Sequence, residues 1–131
     1  MSDILSVLIV EDNESNRKEL DQFFRELGFT TYMAENGKAA LTFLSNLEGN
    51  KLPSLISSDV NMPEMDGVML LDSLRASKTY KDIPFMIITS NKDELLKMAA
   101  QCLDVNAYHL KPPDYEKIIP QLEKLFPGRQ F

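Results

Sequence analysis

Five side chains stand where an apolar run ends. Glu11 and Asp12 follow Val7-Leu8-Ile9-Val10, Asp59 follows Leu55-Ile56, Thr89 follows Phe85-Met86-Ile87-Ile88, and Lys111 follows Leu110. An isolated Asp at a strand end is ordinarily a cap or turn residue; the company of the other four groups is what gives Asp59 chemical meaning. Three carboxylates brought into one crevice repel each other, so either one protonates or a cation neutralises them. Carboxylate, carbonyl and water ligands without sulfur or imidazole suit a hard divalent ion, and Mg2+ commonly takes only one or two protein carboxylates. The expectation is a Mg2+ site with Asp12 and Asp59 as direct ligands, Glu11 acting through water, and the backbone carbonyl of Asn61 as a further ligand. With its charge offset, an Asp59 carboxylate oxygen can attack a phosphoryl group to give an aspartyl phosphate. Such transfer depends on positioning and on stabilising dispersed negative charge, and Lys111 and Thr89 are the groups available for that.

These groups meet only if the segments that carry them share an edge. Val7-Leu8-Ile9-Val10 is a continuous aliphatic run, the mark of a strand covered on both faces. From about Ser15 the period changes, and Leu20, Phe23, Phe24 and Leu27 form one helical stripe that Gly28 ends. Residues 29–34 read as a weaker second strand. Asn36-Gly37 then opens a helix carrying Ala40, Leu41, Leu44 and Leu47, and Gly49-Asn50 closes it. Residues 55–59 form the third strand, with Asp59 at its end facing solvent; Pro63 forbids continuation, and Asp66 caps a helix from Gly67 to about Ser77. Pro84 starts the fourth strand, and Ser90 or Asn91 caps a helix through Leu103. Residues 107–110 are the fifth strand, and a last helix runs from about Asp114 to Phe126 with Ile118, Ile119 and Leu122 inward.

Five alternations with short loops predict an α/β fold, a (βα)5 flavodoxin-like doubly wound sandwich whose five-stranded parallel sheet has the order 2-1-3-4-5. Strand C-termini share one edge of such a sheet. The reversal of order falls between the first and third strands, so Asp12 and Asp59 flank the crevice.

Composition bounds the setting. With 131 residues and 44% hydrophobic content, the chain fits a single domain over residues 1–131. Its 20 acidic and 14 basic residues give a net charge of -6 with no basic patch, which argues against direct nucleic-acid contact. Cys102 is the single cysteine and reads as a small packed hydrophobe; without a disulfide or a zinc-like Cys/His spacing, a reducing cytoplasm is expected. No apolar stretch approaches the ~20 residues of a membrane span, and the acidic start is unlike an export signal.

Taken in order at strand ends, these residues resemble the receiver domains of two-component response regulators, over nearly the whole chain. Glu11-Asp12 is similar to the family's metal-binding pair, Asp59 in Asp-x-x-Met-Pro-x-x-Asp-Gly to its phosphoacceptor, Thr89 to its switch hydroxyl, Tyr108 to its switch aromatic and Lys111-Pro112 to its Lys-Pro, a cis peptide in the family. The resemblance implies a signalling phosphoacceptor and not an enzyme beyond self-catalysed phosphotransfer and dephosphorylation. Phosphate would come from a sensor histidine kinase or a histidine phosphotransfer protein. Thr89 would then be drawn in and Tyr108 would swing inward, reshaping the face of the fourth helix, fifth strand and fifth helix toward a downstream protein target. It also implies a monomer or a weak phosphorylation-dependent dimer. In the family, the positions that Asn61 and Asn91 take border the phosphoryl group and tune its lifetime; the alternative is that they are loop and cap residues.

Several positions depart from the family pattern. Asp104 stands where Gly usually ends the fourth helix, and Asp tolerates a left-handed backbone better than most residues. Pro113 follows Lys111-Pro112. Pro120 lies inside the last helix, where proline costs about 3 kcal/mol or bends it, so a kink or break is expected near Ile119. In the fourth helix Leu95, Met98 and Cys102 form a second apolar row, read as packing on a neighbouring helix, with an exposed partner face as the alternative. His109 is expected to be satisfied by a backbone partner. Nothing after Phe126 resembles an effector, which suits a stand-alone regulator or an excised domain.

Three other functions compete. Binding of flavin mononucleotide needs a phosphate loop after the first strand, where Glu11-Asp12-Asn13-Glu14 would repel the ligand. An Asp-nucleophile phosphatase wants a general acid where Asn61 stands. The remaining rival is a phosphorylation-independent receiver-like interaction module.

Overall fold

The computed structural model describes residues 4–48 and 51–131. Strands β1 (Ser6–Val10), β2 (Thr30–Ala34), β3 (Leu55–Ser58), β4 (Phe85–Thr89) and β5 (Ala107–Leu110) alternate with helices α1 (Glu14–Glu26), α2 (Gly37–Ser45), α3 (Gly67–Arg75), α4 (Glu94–Cys102) and α5 (Tyr115–Leu125). All strand pairs are parallel and the order is β2-β1-β3-β4-β5, as the alternation predicts. The two-residue period of a strand divides its apolar side chains between two layers. Leu8, Val10, Ile56, Phe85 and Ile87 meet α2, α3 and α4 on one face. Val7, Ile9, Leu55, Met86 and Ile88 meet α1 and α5 on the other, where Phe24, Ile118 and Leu122 are fully buried. The apolar runs of β3 and β4 are continuous because both of their faces are covered.

An Asx side chain caps each helix and accepts a first-turn backbone N–H: Asn13 from Asn16, Asn36 from Ala39, Asp66 from Met69, Asp93 from Leu95 and Asp114 from Glu116. Gly28, at φ 96°, ends α1, and Asp104 does adopt the left-handed backbone, at φ 57°. Beneath that turn the Arg75 guanidinium spends all its nitrogens on one junction. Nε donates to the Leu103 carbonyl, Nη1 to those of Lys81 and Ile83, and Nη2 to the Asp104 carbonyl and Asn106 Oδ1. The end of α3 is thereby tied to the end of α4 and the start of β5.

Four local expectations need correction or fall elsewhere. The cap of α4 is Asp93, not Ser90 or Asn91, because Asn91 Oδ1 is already engaged by the Asp93 N–H. Pro120 does not break α5, which runs uninterrupted from Tyr115 to Leu125; the proline is exposed, and the carbonyl left without a helical donor belongs to Glu116, also exposed. The second row of α4 faces outward, with Leu95 74% and Met98 57% exposed and Cys102 exposed as well, since α4 packs on α3 and the sheet through Ala100. The proposed end of α2 at Gly49-Asn50 lies outside the described residues; the helix itself ends at Ser45, with Asn46 as its cap.

Candidate functional site

The ladder of the sheet continues past the strands and delivers each polar group. Glu11 N–H donates to the Ala34 carbonyl at 3.0 Å and Asp59 N–H to the Val10 carbonyl at 3.0 Å, so Asp59 lies abreast of the Glu11-Asp12 turn. Lys111 N–H donates to the Thr89 carbonyl at 2.8 Å and sets those two side by side on the neighbouring strands. After Asp59 the chain doubles back. Met65 N–H reaches the Pro63 carbonyl at 2.7 Å across Glu64, whose φ is 66°, and Gly67 N–H returns to the Val60 carbonyl at 2.9 Å. A Cβ at residue 67 would stand 2.0 Å from the Asp59 carbonyl oxygen, so only glycine permits this close approach.

Carboxylate oxygens of Glu11, Asp12 and Asp59 lie within 4.8 Å of one another, with Asp12 exposed and the other two buried. The Lys111 ammonium sits between the buried pair, donating to Glu11 Oε1 at 2.6 Å and to Asp59 Oδ2 at 2.9 Å. Asp59 Oδ1 accepts from Val60 N–H at 2.6 Å, and Glu11 Oε2 from Asn13 N–H at 3.0 Å. Asp59 is 7% exposed, which corrects the expectation that it faces solvent: Lys111 and the returning chain cover it, an arrangement no local pattern announces. Burial pushes the Glu11 carboxyl above its ordinary range, and the bonds from Lys111 and Asn13 offset only part of this. Burial works to lower the Lys111 ammonium, but its bonds to Glu11 and Asp59 prevail and hold it above its ordinary value. An all-oxygen donor set this tight suits a hard divalent cation.

Thr89 is fully buried, and its Oγ1 accepts from Asn91 N–H at 3.1 Å. Asn91 Nδ2 donates to Asn61 Oδ1 at 3.1 Å, so the two amides bridge the loops that follow β3 and β4. The Tyr108 hydroxyl is buried without a hydrogen-bond partner among the described residues, and Lys97 Nζ lies 5.9 Å from its ring centroid. Burial raises the Tyr108 phenol, helped by Glu94, Asp93 and Asp59. His109 is satisfied by a side chain, Gln121 Oε1 at 2.7 Å, not by the backbone as expected, because the α5 residue opposite it carries an amide. The Lys111-Pro112 peptide is cis. Between α4, β5 and α5 lies an open groove of about 980 Å3, with Lys97, Tyr108, His109 and Gln121 on its walls. One neighbour of the acids leaves no mark in the apolar pattern: Arg17 reaches back from α1 to the Glu11 carbonyl at 2.8 Å. Its only trace in the sequence is a cation in the first turn of a helix, where the dipole disfavours one.

Residues 7–123 match the family described as response regulator receiver domain, and the chain belongs to that family. Chemotaxis protein CheY of Pseudomonas aeruginosa is 34% identical over 125 residues, spanning 93% of this chain and 96% of its own. A probable methanogenesis regulatory protein, FilR2 of Methanothrix harundinacea, is 30% identical over 123 residues, spanning 91% of this chain and 79% of its own. Among solved structures, the signal receiver domain of a signal transduction histidine kinase from Syntrophus aciditrophicus superposes with a TM-score of 0.82 at 30% identity, covering 94% of this chain and 90% of that one. The chain is thus a two-component receiver domain of flavodoxin-like fold, a signalling domain by family. No helix among the described residues is long and apolar enough to cross a membrane.

Proposed function

We propose that this chain is a Mg2+-dependent phosphoacceptor that takes a phosphoryl group on Asp59 from a sensor histidine kinase or a histidine phosphotransfer protein. The observation that carries the reading is the Lys111 ammonium held between Glu11 and Asp59, with Asp12 at the mouth of the same crevice. Asp12, Asp59 and the Asn61 carbonyl would hold the cation, which when bound supplies positive charge for the transferring phosphoryl oxygens. Glu11, buried behind the exposed Asp12, acts through water. One Asp59 carboxylate oxygen forms the new bond to phosphorus while the donor's bond to phosphorus breaks and its electron pair leaves with the donor. Lys111 and the Thr89 hydroxyl hold the charge that spreads over the phosphoryl oxygens. The Asn61 and Asn91 amides border this position and steer water toward the aspartyl phosphate.

Once phosphorylated, Thr89 moves toward the new group and Tyr108 turns inward, altering the face of α4, β5 and α5 that a downstream protein reads. The exposed Leu95 and Met98 and the groove beside them support that assignment. The chain acts as one domain over residues 1–131, in the cytoplasm, as a monomer or weak phosphorylation-dependent dimer. The test is incubation with Mg2+ and acetyl phosphate. Intact mass should rise by one phosphoryl group in the wild type and not at all in Asp59→Asn. No gain in the wild type would favour an interaction module that works without phosphate.

A further inference from the structure

Arg17 is the fourth residue of α1, so its charge stands in the first turn, beside the positive end of the helix. Its neighbour Lys18 pairs with Glu14 across solvent at 3.1 Å, whereas Arg17 turns the other way. Its Nη1 donates to the main-chain carbonyl of Glu11 at 2.8 Å and stands 3.5 Å from that of Asp12. Among the described residues the guanidinium makes no salt bridge and no other hydrogen bond. A half-buried guanidinium held by two consecutive carbonyls in preference to a carboxylate fixes a backbone. The other attachments of that turn hold Glu11 and Asn13: the Glu11 N–H on Ala34, the Asn13 N–H on Glu11 Oε2, Lys111 on Glu11 Oε1, and the Asn16 and Arg17 N–H groups on Asn13 Oδ1 and the Asn13 carbonyl. Asp12 itself is exposed, and none of these bonds holds its carboxylate, so the path of the main chain at residues 11 to 13 alone sets where it points.

We infer that Arg17 is a positioning residue: by fixing the Glu11 and Asp12 carbonyls it aims the Asp12 carboxylate at the crevice and sets the affinity for the divalent cation. This rests on the Mg2+ reading above. Because the guanidinium touches backbone and not the ligand oxygens, its removal loosens the geometry of the acids without deleting any of them. Groups that orient metal ligands in this way typically govern affinity by about 10- to 100-fold.

The test titrates Mg2+ alone into wild type, Arg17→Met and Arg17→Gln, by calorimetry and by the amide signals of Asp59 and Asn61. Phosphoryl gain from acetyl phosphate is then timed at saturating Mg2+. Arg17→Met should bind Mg2+ about tenfold more weakly. Arg17→Gln, whose amide can still donate to the Glu11 carbonyl, should recover part of the loss, and it decides the matter if Arg17→Met does not fold. At saturating Mg2+ the rate should match wild type. Unchanged Mg2+ affinity in both variants would overturn the inference while leaving the receiver reading intact. So would unchanged affinity with a slower rate, which would assign the guanidinium to the phosphodonor. A wild type that takes up no Mg2+ would overturn the reading itself, and the inference with it.

Discussion

Lys111 carries the electrostatic strain of the crevice, because two buried carboxylates share one ammonium. Its value in the folded protein lies above the ordinary 10.5, so the folded state holds that proton more tightly than the unfolded chain. The stability this gives is fully present below pH 10.5 and is lost as pH rises through the higher folded value. Tyr115, pushed up to about 12 chiefly by burial and then by Glu19, acts in the same direction. Its unfolded counterpart ionises from about pH 10, so the folded state also loses ground between there and pH 12. Urea unfolding of wild type and Lys111→Met at several alkaline pH values separates the two. Wild type should show the steeper alkaline decline, and the variant should retain only the part due to tyrosine. Equal slopes would mean that Lys111 is not held as the structure has it.

At the scale of elements, the decisive contact is α3 against the end of β3. Gly67 is the first residue of α3, and no side chain fits between it and the Asp59 carbonyl. Gly67→Ala should therefore lower stability by about 3 kcal/mol and slow phosphoryl gain as Asp59 is displaced; urea unfolding together with timed intact mass would check both. Pro120 gives the opposite sign. It sits inside a continuous α5 at an exposed position, and Pro120→Ala should restore a helical N–H and raise stability by about 1 to 3 kcal/mol in the same assay. Both elements were legible as helices from their apolar rows. The contact of Gly67 with Asp59 was not, because it joins the start of a helix to a strand end through backbone alone. The start of α4 is hidden for a different reason: Ser90, Asn91 and Asp93 are all competent caps, and Asn91 is ruled out only because its Oδ1 accepts from the Asp93 N–H.

Over the whole molecule, sheet order followed from the alternation of strand and helix, and the gathering of the acids from where apolar runs stop, since parallel strands end at one edge. What pattern could not convey were the contacts made across the fold. Lys111 and Glu11 are 100 residues apart in sequence, and the enclosure of Asp59 depends on that pair. The outward turn of Leu95 and Met98 depends on which face of α4 meets α3, a choice two parallel apolar rows leave open. A cation that relieves three clustered carboxylates should stabilise the entire domain. At about 100 times its Kd, Mg2+ should add about 2.7 kcal/mol and raise Tm by roughly 8 °C over sodium chloride of equal ionic strength. Asp12→Asn should abolish most of that increment in a thermal melt.

The main chain of Asp59 has nowhere to go. Val10 holds its N–H, the Ser58 hydroxyl and the Gly67 backbone crowd its carbonyl, and Val60 grips one side-chain oxygen. A group added there would meet an anvil and not a hinge, and the segment beside it, between Thr89 and the helix that Asp93 begins, is tied instead by side-chain bonds of Thr89 and Asn91.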